Sequence, residues 1–165
     1  MTEWQKRPSE ERALLNPAFC SALMWKASTG YACAADSVLP FDLAFLVLPI
    51  VLHRATRESL PTKSTSSLPA WLHDHPLSRP VIADRARLLR PFTKEALLFG
   101  GSHGLLHIDG KGVAARDGWA KRITSQLKEL SEEVRDCAKR AEFVGKWFAK
   151  AGTSSTVMAI VGVKP

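Results

Sequence analysis

Apolar positions along the chain fall into runs whose spacing separates helices from strands. Asn16 precedes Pro17, a good N-cap followed by a residue suited to the first helical position. Phe19, Leu23 and Met24 then share one face, which predicts a short helix ending near Gly30. Asp36 or Ser37 offers a second cap, and Leu43, Leu46, Val47, Ile50 and Val51 follow at helical spacing, with Pro49 marking a kink or a tight first turn. That segment is apolar nearly all round, so it is expected at the centre of the core.

The polar stretch that begins "HRATRESLPTKSTSS" reads as a loop. Ser67 then caps a helix of about two turns that ends at Pro76. "SRPVIADRARLLRPFTKEALLFGGSHG" reads as two consecutive helices, Val81 to Arg90 and Thr93 onward, joined at Pro91 with Thr93 as the second cap. Alternating residues Leu105 to Asp109, a Gly110-Lys111-Gly112 turn and a short strand at Val113 to Ala115 predict a hairpin. Helix, turn, helix and hairpin in that order match a winged helix.

From Trp119, the residues Ile123, Leu127, Leu130, Val134, Cys137, Ala141, Val144 and Phe148 alternate steps of four and three. A continuous helix with this seam would run for about nine turns, roughly 48 Å. Phe143 and Trp147 widen its apolar face towards the end, where it is expected to be buried, while its first half is free to project or pair. After Gly152, the β-rich run Thr156 to Val163 predicts a terminal strand in need of a partner. The expected fold class is α+β, mostly α. It has a winged-helix-like centre, a long C-terminal heptad helix and a terminal β-strand. A single domain covers 1–165, with a helical and winged-helix-like part at 16–118 and the long helix plus strand at 119–165.

Composition narrows the function classes. The 165 residues are 45% hydrophobic and 24% charged, enough for one ordinary core. No apolar run reaches the roughly 18 residues a membrane span needs, and the charged first residues show no secretory signal, so the expected compartment is the cytoplasm. Cys20, Cys33 and Cys137 are odd in number and lack C-x-x-C spacing, and are read as buried thiols. A net charge of +7 permits contact with nucleic acid or an acidic protein surface. Arg79, Arg85, Arg87, Arg90 and Lys94, with Lys111 at the hairpin tip, are the candidate nucleic-acid contacts. The second helix of the pair lacks Asn, Gln or Arg for bidentate base contacts and is apolar on its outer side, which suits gripping a protein. Leu127, Leu130, Val134, Trp147 and Phe148 are the candidate partner contacts.

"GGSHG" (residues 100–104) spells G-x-S-x-G, the pattern of a hydrolase nucleophile elbow. An elbow needs a strand before the serine and a helix after it, and here the order is reversed. Gly104 instead suits a left-handed helix end. His73/His75 and His103/His107 lack a third ligand or a shared helical face, so no metal site is expected. No phosphate loop, dinucleotide fingerprint or H-E-x-x-H occurs, and no cofactor is expected.

At "NPAFC", "LPFDLAFLVLPIVLH", "RPFTKEALLF" and above all the closing "FVGKWFAKAGTSSTVMAIVGVKP", the chain resembles the middle component of bacterial three-component ABC-ATPase systems, from about Asn16 to Pro165. Such systems pair a small protein of this kind with a large SMC/Rad50-like ATPase and a third component. They are associated with defence against phage, and the system called Menshen is similar in arrangement. The resemblance implies a non-enzymatic adaptor that couples the ATPase to an effector, with no catalytic residue to carry over. Non-specific DNA contact within the complex and a homodimer are compatible with it. The alternative reading is a DNA-binding winged-helix transcription regulator.

Overall fold

The computed structural model describes residues 15–163. Helix α1 (Pro17–Ala35) starts as its cap dictates, with Asn16 Oδ1 accepting the Ala18 N–H at 2.8 Å. It does not stop near Gly30. It runs on to Asp36, which takes a left-handed φ of 49° and donates its N–H to the Ala32 carbonyl. Gly30 is the place where another helix's backbone approaches, not a terminator.

Pro40 opens α2 (Phe41–Val51), later than the Asp36 or Ser37 start. From Leu43 on, all its residues but Phe45 are buried, at the centre of the core as their pattern required, while Phe41 at its start stays exposed. A short helix, α3 (Arg54–Ser59), replaces part of the expected loop. His53 Nδ1 caps it by accepting from the Thr56 hydroxyl (2.7 Å) and the Thr56 N–H (3.3 Å). α4 (Leu68–Asp74) is capped by Ser67, as read.

The two helices expected around Pro91 are one, α5 (Ser78–Ser102), of 25 residues. Proline removes an amide and crowds the preceding turn, yet Pro91 lies on the exposed side, where water can satisfy the freed Arg87 carbonyl. Thr93 caps nothing, since its hydroxyl is buried without a hydrogen-bond partner. The helix-turn-helix on which the winged-helix reading depended is therefore not formed by this segment.

The hairpin is present. β1 (Leu106–Asp109) pairs antiparallel with β2 (Gly112–Ala115) in the register Leu106 with Ala115 and Asp109 with Gly112. Asp109 Oδ1 holds the tip by accepting from the Lys111 (2.8 Å) and Gly112 (3.2 Å) amides, which lowers its pKa. Leu39 and Val113 exchange two backbone bonds, tying the hairpin to the segment before α2.

The heptad seam is broken into α6 (Ala120–Lys128) and α7 (Glu132–Lys150). Ser131 Oγ accepts the Val134 N–H, and Glu132 and Glu133 occupy the positive first turn of α7. Arg135 stitches the corner through the carbonyls of Lys128 (3.0 Å) and Leu130 (3.2 Å). The closing segment is no strand but a helix, α8 (Ser154–Val161). Thr153 caps its start, and a left-handed Gly162 ends it with bonds back to Met158 and Ala159.

The core is built where α1, α2, α5 and α7 meet, so the part after Trp119 is integral to it. α1 and α7 pack along most of their length with their backbones in contact. A Cβ on Gly30 would lie 2.9 Å from the Glu142 carbonyl carbon, and one on Gly145 would lie 2.8 Å from that of Ala27. The mostly helical α+β class stands, with a single two-stranded sheet among the described residues. None of the described helices is long and apolar enough to cross a membrane.

Candidate functional site

Ser102 is the last residue of α5, so its hydroxyl sits at the negative end of a helix rather than beside free amides. Its Oγ lies 3.0 Å from the Phe99 carbonyl and 3.1 Å from His103 Nδ1. That nitrogen lies 2.9 Å from the same carbonyl. A carbonyl can only accept, so Nδ1 carries its proton towards Phe99 and has no lone pair for the serine. His103 also stacks on Phe99 with ring centroids 3.9 Å apart. The group closes the helix end, and Gly104 follows with a φ of +69°. His107 stands apart on β1, and His75 is stacked on Trp71 with Nδ1 bonded to the Trp71 carbonyl.

The six candidate phosphate contacts form one group of three and three that stand apart. Arg87, Arg90 and Lys94 share one exposed side of α5 and line a groove with the N-terminal half of α2. Arg87 is neutralised by Asp84 at 2.6 Å. Arg79 points to the end of α8, where it donates to the Ala159 carbonyl at 3.3 Å. Arg85 is on another flank, half-buried, with its pKa lowered by burial and its Nε lacking a hydrogen-bond partner. It adds to the effect of burial in pulling the pKa of His53 down. Lys111 is at the hairpin tip.

Three of the five candidate partner contacts are internal. Trp147 and Phe148 are core residues, the indole donating to the Ser66 carbonyl at 2.6 Å and meeting Trp71 edge to face. Leu127 is buried as well, and Val134 is half-buried. Their apolar periodicity reports packing against this chain's own core. Leu130, 49% exposed at the corner between α6 and α7, is the one that faces water. Of the three cysteines, Cys20 and Cys137 are buried, and burial is the main cause that pushes the Cys20 thiol up to about 12. Cys33 is exposed, because α1 continues past the core.

Two features escaped the sequence reading. Leu77, Leu88 and Leu98 are 78%, 67% and 71% exposed. Steps of 11 and 10 residues at about 100° each bring them to one side of α5 over roughly 31 Å. The outer side of this segment was already noticeably apolar, but only the unbroken helix lines the leucines up. The second is Arg57, buried in a helix whose one apolar residue is Ala55, with Nε 2.8 Å from Asp136, Nη2 3.0 Å from Glu133 and Nη1 2.9 Å from the Val51 carbonyl. It joins α3 to α7 and to the end of α2, and nothing in the spacing of "RATRES" marks it.

The described residues thus form a mostly helical protein with a small hairpin and one long helix that exposes leucines, and no group of three metal-ligating side chains occurs among them. The chain belongs to the family described as ABC-three component (ABC-3C) system Middle Component 3, whose sequence model matches residues 4–165. No curated protein and no solved structure matches it at a significant level.

Proposed function

We propose that this chain is a non-enzymatic adaptor that works in the cytoplasm, joining an SMC/Rad50-like ABC ATPase to the third component of an antiphage system. The observation that carries the reading is the exposed leucine side of α5, Leu77, Leu88 and Leu98. Spaced along one side of a single helix, they would give a partner protein three apolar anchors. Family membership supplies the setting, since a middle component acts among other components. A DNA-binding regulator is not favoured, because the continuous α5 leaves no separate recognition helix and only three of the six candidate cations stand together.

Co-expression with the two proteins encoded beside it, followed by size-exclusion chromatography with light scattering, tests the reading. Co-elution in fixed stoichiometry is expected. A chain that elutes alone, as monomer or homodimer, and retards duplex DNA by itself would overturn it.

A further inference from the structure

Beside the leucine side of α5, a groove of about 430 Å³ lies between α2, α5 and α8. Its apolar surface is Phe41, Phe45, Met158 and Val163. Phe41, the first residue of α2, is 46% exposed and meets Phe45 edge to face at 5.4 Å. Its rim is basic. Arg90 and Lys94 sit one turn apart on α5, both exposed and neither in an ion pair among the described residues. Like charges at that spacing repel, so the helix would gain from a carboxylate set against them. Arg87 is already matched by Asp84, and Asp42 is turned to its own helix, accepting the Leu43 N–H at 3.0 Å. Set against Asp42, the one carboxylate lining the groove, Arg90 and Lys94 leave an excess of positive charge there among the described residues.

We infer that this groove receives an acidic, amphipathic segment of a partner protein, with an apolar side chain against Phe41, Phe45 and Met158 and carboxylates against Arg90 and Lys94. A space of this size takes one or two side chains. Charge complementarity selects acidic flanks, and the phenyl rings and methionine select an apolar anchor. Duplex DNA fits less well, since an apolar floor offers phosphates nothing and two such cations make a small electrostatic footprint. The inference rests on the adaptor reading for the existence of a partner, but it is tested on the isolated chain.

The probe is a fluorescein-labelled 14-residue peptide of Glu, Asp, Leu and Phe, compared by fluorescence anisotropy with the same peptide carrying Gln and Asn for the acids, and with a 14-base-pair duplex. The acidic peptide is expected to bind at least ten-fold more tightly than the neutral one, and the double variant Arg90→Glu/Lys94→Glu to lose at least ten-fold. Phe41→Ala is expected to weaken both peptides. Circular dichroism of each variant guards against unfolding, which is not expected at exposed positions. Equal binding of the two peptides, indifference to the charge reversal, or tighter duplex binding lost in the same variant would overturn the inference. Assembly of the three-component complex without peptide binding would overturn the groove and leave the adaptor role standing. Charge-dependent peptide binding without assembly would support the groove and overturn the role.

Discussion

Replacing Gly145 by Ala should destabilise the protein, although alanine is the better helix former. In the middle of α7 the substitution gains up to about 1 kcal/mol from backbone propensity. Against that, the new methyl would sit 2.8 Å from the Ala27 carbonyl carbon and 2.9 Å from the Tyr31 nitrogen. Both are backbone atoms of α1, so no side chain can rotate away, and the two helices must separate. Overpacking of this kind costs about 1–3 kcal/mol, and a backbone-to-backbone clash falls near the upper end. The net expectation is a loss of about 2 kcal/mol, or about 4–8 °C in Tm for a chain of this length. Gly101→Ala supplies the opposite case, since a Cβ there has Ile108 Cδ1 as its nearest neighbour at 3.9 Å. It should stabilise by up to about 1 kcal/mol. Urea unfolding followed by circular dichroism measures both. If Gly145→Ala were as stable as the parent, or if the two changes moved stability in the same direction, the close approach of α1 and α7 would be wrong.

Arg57→Met should cost about 2–3 kcal/mol in urea unfolding, towards the low end for a broken buried pair because Glu133 and Asp136 remain partly exposed; a neutral result would contradict the bridge from α3 to α7. Ser131→Ala should cost about 1 kcal/mol as a lost N-cap, whereas a continuous helix through Ser131 would make the same change stabilising. His53 has its pKa lowered, first by burial and then by Arg85 and Arg57. The unfolded chain therefore binds this proton more readily, and the associated stability is complete above about pH 6.5 and lost as the pH falls through the lower folded value. His53→Asn, which keeps a capping side chain, should flatten the stability profile below pH 6.5; an unchanged slope would show that His53 does not titrate with folding.

The features readable from sequence were those governed by local chemistry. Asn16 and Ser67 announce their helices, and Asp109 to Gly112 announces the hairpin, because each bonds its own neighbouring amides. The apolar run Leu43 to Val51 declares its central place, since all of it but Phe45 is buried. The misreadings share a cause, a local signal overruled by where the segment sits. Pro91 breaks nothing because its side of α5 faces solvent, a fact outside the sequence window. The heptad spacing counts side chains and passes over Ser131, whose cap with Glu132 and Glu133 turns the chain. Thr156 to Val163 is β-rich in composition, yet Val157, Met158 and Val161 bury one helical face between a Thr153 cap and Gly162. The candidate surfaces followed those errors. Three of the five residues chosen from an unbroken seam lie in the core, and the exposed leucines became visible as one side only once α5 was continuous.

The most direct test of the adaptor account is whether the outer side of α5 is needed for assembly. Leu88→Glu/Leu98→Glu changes two exposed side chains and should leave the isolated chain folded. Co-expressed with the two neighbouring components and examined by size-exclusion chromatography with light scattering, the double variant is expected to drop out of the complex while keeping the parent's circular dichroism and Tm. A double variant that still co-elutes in full stoichiometry would contradict the account.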